Sequence, residues 1–206
     1  MPVVTAIKRQ ARVGSNRFNI SLDGSYAFTV SDLDLSMSGL RVGQELTAQE
    51  VEEFSQNASE AKAYALALRY LGVRVRSRRE LTDYLARKGC ESQESDAALE
   101  RLEGIGLVDD LRFAQAWIAD RMAVRPRSRM RLSQELAAKG VARDIVDIAL
   151  QELEPEKEVN TLKDLIIRKQ RSGGYTDPKK LIGYLQRQGY RWDLIKEALQ
   201  EIEDAN

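Results

Sequence analysis

Histidine is absent from these 206 residues, and with it go the commonest general base and the commonest metal ligand. Hydrolytic triads built on histidine are excluded. A single cysteine, Cys90, excludes an internal disulfide and a cysteine metal cluster and fits a reducing compartment. No apolar run approaches the roughly 18 residues that span a bilayer. The start, Met1-Pro2-Val3-Val4, lacks the basic-then-apolar layout of a signal peptide, so a cytoplasmic protein off the membrane is expected. Net charge is missing too: 32 basic residues balance 32 acidic ones, so the whole chain does not announce a nucleic-acid partner. What remains is 43% apolar and 31% charged residues, interspersed, which is the composition of a folded chain with a core.

Self-similarity organises the last three-quarters of the sequence, at a period of about 50 residues. Its anchors are Ser77, Ser128 and Asp177. Leucine stands four residues after each anchor (Leu81, Leu132, Leu181) and again after eight (Leu85, Leu136, Leu185), with glycine at twelve (Gly89, Gly140, Gly189). This spells a helix with its ends marked. Serine or aspartate takes the orphan amides of the first turn, the leucines make one apolar stripe, and glycine supplies a left-handed C-cap. Ser77 with Glu80 reads as a capping box, and Pro178 after Asp177 suits the first helical position. Upstream, the apolar pairs Ala65-Leu66, Ala116-Trp117 and Leu165-Ile166 mark an earlier helix in each copy. Downstream, Ile145-Val146 and Ala149-Leu150 match Leu194-Ile195 and Ala198-Leu199, so a third helix closes the copy. The first copy departs at Glu94 and Ser95 but keeps Ala98 and Leu99, and its helix is expected to run through Leu102.

Ahead of the repeats, Ala6–Ala11, Arg17–Leu22 and Tyr26–Val30 read as short strands with an Asp23-Gly24 hairpin turn. Thr47 with Glu50 opens a helix expected to continue through Leu71. The expected architecture is mainly α: three tandem three-helix repeats, stacked into an elongated and curved array, after a small β element. Its expected divisions are 1–46 for the β element and linker, 47–108 for the first repeat with a lead-in helix, 109–153 for the second and 154–206 for the third.

Charge is unevenly spread, with 17 basic against 13 acidic residues in 61–150. The surplus gathers at the starts of the central helices: Arg74, Arg76, Arg78 and Arg79 in the first copy, Arg125, Arg127, Arg129 and Arg131 in the second. One reading is a solvated face whose arginines pair with neighbouring acids. The other is a surface for an acidic partner, favoured by arginine over lysine because a guanidinium fork holds carboxylates and phosphates bidentately. Lys139 and Arg143 complete that candidate contact set. Asp109-Asp110 is read as helix capping in preference to a metal pair, because adjacent helical residues point about 100° apart. Trp117, Trp192, Tyr84 and Tyr184 are read as core. Ser172-Gly173-Gly174 is a helix-to-helix turn, with no Gly-Lys-Ser/Thr to make a phosphate loop. Cys90, after a C-cap glycine, is expected near the surface with no histidine to activate it. No catalytic residue, cofactor or metal site is expected.

Three stretches stand out: Arg76-Ser77-Arg78-Arg79-Glu80-Leu81 leading to Leu85 and Lys88-Gly89; Gly106-Leu107-Val108-Asp109-Asp110 with Phe113-Ala114; and Arg127-Ser128 leading to Glu135-Leu136 and Lys139-Gly140-Val141. Together they resemble the RecX family of RecA regulators. The start, with Leu22-Asp23-Gly24, is similar to members carrying a β extension. The resemblance implies a three-repeat helical protein that lodges in the groove of the RecA filament on single-stranded DNA and modulates strand exchange and co-protease activity. A monomer with no catalytic activity is expected, and the neutral whole-chain charge argues for at most weak DNA contact of its own. The competing expectation is an autonomous, sequence-independent DNA-binding helical module.

Overall fold

A computed structural model of the chain describes residues 1–11, 16–124, 126–171 and 177–204, the side chain of Pro155 excepted. Two compact units result: Met1–Val73 with Leu81–Leu107, and Arg74–Glu80 with Val108–Asn206.

In the first unit, alternating apolar residues build three antiparallel strands, β1 (Val4–Arg9), β2 (Arg17–Leu22) and β3 (Ser25–Ser31), in the order β1-β2-β3. The expected hairpin forms, with positive φ at Asp23 (48°) and Gly24 (83°), the backbone twist that matches the twist of the flanking strands. Val4, Ile20, Leu22, Phe28 and Val30 are buried on one face, against which Val51 and Phe54 pack. These last two belong to α2 (Ala48–Leu71), which starts at the expected Thr47–Glu50 capping box. A short helix that periodicity does not announce, α1 (Asp32–Ser38), is started by a second box, Ser31 with Asp34. Within the first copy come α3 (Arg78–Arg87) and α4 (Ser92–Gly104); α4 passes through Leu102 as expected and packs against α2.

The second unit holds α5 (Asp110–Val124), α6 (Arg129–Ala138) and α7 (Arg143–Gln151), closed around Phe113, Ile118, Leu132, Leu136 and Val146. It also holds α8 (Pro155–Arg171), α9 (Pro178–Arg187) and α10 (Trp192–Asp204), closed around Leu162, Ile166, Leu181, Leu185 and Ile195. The three-helix repeat is therefore real. All six stripe leucines of α3, α6 and α9 are at most 2% exposed. Each of these helices ends alike: the glycine is left-handed, and the amide after it (Cys90, Val141, Tyr190) returns to the carbonyl of the second stripe leucine.

Some expectations need correction. Ala65 and Ala116 are exposed, and the fully buried residues of those first helices are Ala63, Ala67, Phe113, Ala114 and Ile118; a pair of adjacent apolar residues fixes a helix but not which of the two faces inward. Trp192, the first residue of α10, is 53% exposed and so is not core. Cys90 is buried, since the residue after a C-cap glycine folds back on the helix it terminates. The turn at Ser172-Gly173-Gly174 lies outside the described residues. Among those described, no helix is long and apolar enough to cross a membrane.

Candidate functional site

The anchor serines do more than cap their own helices. Ser77 Oγ accepts from the Glu80 amide (3.1 Å) and donates to the Lys139 carbonyl (2.7 Å) at the end of α6. Ser128 Oγ accepts from the Arg131 amide (3.3 Å) and donates to the Gln188 carbonyl (2.8 Å) at the end of α9. The next orphan amide is met from outside as well: Arg78 N–H donates to Asp110 Oδ1 (2.8 Å), and Arg129 N–H to Glu158 Oε1 (3.0 Å). Asp110 and Glu158 stand in the first turns of α5 and α8. Two equivalent joints thus bond a central helix start to the following copy's central helix end and first helix start. The backbones approach closely there. A Cβ on Gly140 would lie 2.5 Å from Arg79 Cβ, and one on Gly189 would lie 2.7 Å from Ser128 Oγ.

The candidate arginines sort by what they touch. Arg74 pairs with Glu80 Oε1 (3.0 Å), which also takes Lys139 Nζ (2.7 Å), so the expected capping box is only half formed. Lys139 Nζ lies 5.1 Å from the Trp117 ring centroid and Arg121 4.1 Å from it. Trp117 Nε1 and Arg121 Nε both donate to Glu135 Oε2, at 3.0 and 2.8 Å. Arg127 Nε stands 3.9 Å from Glu135 Oε1. Arg129 is a clamp: its Nε pairs with Glu158 Oε2 (3.1 Å), and its terminal nitrogens donate to the carbonyls of Leu150 and Leu153. Arg76 and Arg78 are half-buried, whereas Arg79, Arg131 and Arg143 are exposed. Arg143 pairs with Asp147 on its own helix, at 3.9 Å and exposed to solvent. Arg125 lies outside the described residues.

Electrostatics follow this geometry. Burial alone would raise the carboxyls of Glu80 and Glu135, but Arg74 and Lys139 on the one, and Arg121 and Trp117 on the other, hold both below the ordinary range. Asp110 goes the other way: burial lifts it despite the Arg78 amide and charge. Asp109 Oδ1 accepts from the amides of Leu111 (2.8 Å) and Arg112 (3.0 Å), a helix cap as expected, whereas the link from Asp110 to the start of α3 was not anticipated. Gly106, left-handed, ends α4 just before it. Reading the arginines by charge missed the carboxylates that hold them, Glu80, Glu135 and Glu158. The available signal was the serine shared by the first two anchors, able both to accept and to donate, where the third has aspartate.

Together these features define a helical-repeat protein of three-helix units, the first two central helices each capped in part by the copy that follows. Family profiles described as RecX, first three-helix domain, and RecX, second three-helix domain, match residues 63–102 and 109–150. The regulatory protein RecX of Bacillus pumilus is 31% identical over 209 residues, covering 99% of this chain and 79% of that protein. The chain belongs to the RecX family. The regulatory protein RecX of Streptomyces lividans is 36% identical over 148 residues, 68% of this chain and 79% of that one. That of Lactobacillus johnsonii is 34% identical over 166 residues, 81% of this chain but only 60% of the relative's length. A crystal structure of a regulatory protein RecX matches with a TM-score of 0.76 over 96% of this chain and 100% of its own, at 24% identity. That of RecX from Lactobacillus salivarius gives 0.66 over 70% and 97%, at 21%. At these identities the likeness speaks for the fold.

Proposed function

We propose that this chain is a non-enzymatic regulator that binds the RecA filament on single-stranded DNA and restrains its recombinase and co-protease activities. The observation that carries this reading is the match of two successive three-helix domains to a family named for regulation. Within the matched region, Arg79, Arg131 and Arg143 are the candidate contacts, because they are exposed, while Arg74, Arg129 and Lys139 are engaged by Glu80 and Glu158 and Arg127 is half-buried. Exposed charges at a rim act mainly on encounter rate and salt dependence.

Reversing Arg79, Arg131 and Arg143 together to glutamate should weaken filament binding by about tenfold or more. The unfolding free energy should move by only about 0.5 kcal/mol per site. Binding is read by co-sedimentation with assembled RecA and by RecA-driven ATP hydrolysis; wild-type behaviour of the triple variant in both assays sinks this surface. The alternative, an autonomous DNA-binding module, predicts tight single-stranded DNA binding at physiological salt without RecA, and a linear loss with log salt.

A further inference from the structure

A cavity of about 210 Å³ opens beside the joint at Ser128, lined by Arg127, Leu165, Arg168, Tyr184, Gln188 and Tyr190. Tyr190 is 4% exposed, and its hydroxyl is buried with no hydrogen-bond partner. A buried hydroxyl ordinarily finds one. Burial, with Glu158 and Tyr184 nearby, pushes this phenol up to about 12, so it carries its proton and can donate. Arg127 and Arg168 line the same cavity as this phenol, and the charges of both act on it. The nearby carboxylate, Glu158, is taken up by the Arg129 guanidinium and amide. Glu135 faces Arg127 at 3.9 Å, beyond a hydrogen bond, and already holds Arg121 at 2.8 Å.

The repeat supplies an internal comparison. Where the third copy has Arg168, Tyr184 and Tyr190, the second has Ala119, Glu135 and Val141 at the same repeat positions. The third copy has therefore gained a cation and a buried hydroxyl and lost an acid. Packing does not require that exchange, since Val141 fills its position with no polar atom and is 5% exposed.

We propose that this cavity binds a phosphoryl oxyanion, which accepts a hydrogen bond from Tyr190 Oη and is charge-paired by Arg127 and Arg168. A tetrahedral oxyanion suits it because guanidinium forks and a fixed hydroxyl donor are the groups that recognise such an anion. The ligand is either a free phosphate group or a phosphodiester of a nucleic acid strand, which share this chemistry. The site needs no recombinase, so it stands or falls separately from the regulatory reading above.

The test titrates the full chain with inorganic phosphate by calorimetry at low, chloride-matched ionic strength. Saturable one-to-one binding is expected. Arg168→Gln, at an exposed position, should weaken it about tenfold, the scale of one charge-assisted contact. Tyr190→Phe should weaken it several-fold with the helical circular dichroism unchanged. Lys196→Gln removes the same charge from an exposed site off the cavity and should leave binding intact. If no saturable binding is seen, if Lys196→Gln weakens it as much as Arg168→Gln, or if folded Tyr190→Phe binds as the wild type does, the proposal is overturned. A thymidine oligonucleotide added to the phosphate-bound chain then separates the sources: competition assigns the site to a strand phosphate, and its absence to a small free phosphate.

Discussion

The joints at Ser77 and Ser128 share their backbone bonds and differ in where they put charge. At Ser77, Asp110 takes the helix amide at 2.8 Å, and the ion pairs stand to one side in the partly exposed Arg74–Glu80–Lys139 set. At Ser128 one carboxylate does both jobs: Glu158 takes the Arg129 amide and the Arg129 guanidinium and is only 5% exposed. A repeat can therefore keep its geometry through hydroxyl and amide bonds while each joint settles its charges independently. Buried, such a pair is rigid but vulnerable, because losing one partner strands the other.

The largest effect should come from breaking that clamp. Glu158→Ala leaves the Arg129 guanidinium with carbonyl partners alone and should cost about 3–4 kcal/mol, toward the lower end for a buried pair because Arg129 retains some exposure. Asp110→Ala at the other joint removes a cap to one amide and should cost about 1–2 kcal/mol. Urea unfolding of the two variants measures the difference. Equal losses would abolish the distinction between the joints.

The glycines sharpen the comparison from the backbone side. Gly89, Gly140 and Gly189 are all left-handed, yet a Cβ on Gly89 would meet nothing within 4 Å, while the other two would press on Arg79 and on Ser128 with Met130. Gly89→Ala should therefore carry only the left-handed strain, about 1–2 kcal/mol. Gly140→Ala and Gly189→Ala add overpacking and should reach about 2–3 kcal/mol. Thermal midpoints of the three variants check this, and a common shift would mean that the close approach is easily relieved.

What the sequence revealed was local, and what it hid was not. The Asp23-Gly24 hairpin, the Thr47–Glu50 box, the leucine stripes and the terminating glycines each depend on neighbours within a turn or two, and each stands where the spacing put it. The second bond of Ser77 reaches 62 residues along the chain, and the Glu80–Lys139 pair 59. Counting arginines therefore could not tell the clamp at Arg129 from the exposed Arg131 two positions on. Trp192 was misassigned to the core for a related reason: the pattern found its helix, but not that its first residue stands exposed.

Acid titration provides the smallest and most selective probe. Glu80 and Glu135 are held below their ordinary 4.5 in the fold, so the folded chain binds their protons less readily than the unfolded one. Their contribution is fully present above 4.5 and is lost as pH falls through their folded values. Asp110 is raised from 3.8, so its contribution runs oppositely, present in full below 3.8 and lost as pH rises through its folded value. The net acid weakening should thus be modest, about 0.5–1 kcal/mol for each of the two glutamate networks, the scale of partly exposed ion pairs. In the double variant Glu80→Gln, Glu135→Gln, the urea midpoint should fall less steeply between pH 5 and pH 3, taken here as an approximate window around these carboxyl values. An unchanged slope would place the acid sensitivity elsewhere, and the Arg74–Glu80–Lys139 set would then be a surface ornament of the Ser77 joint with no part in holding it.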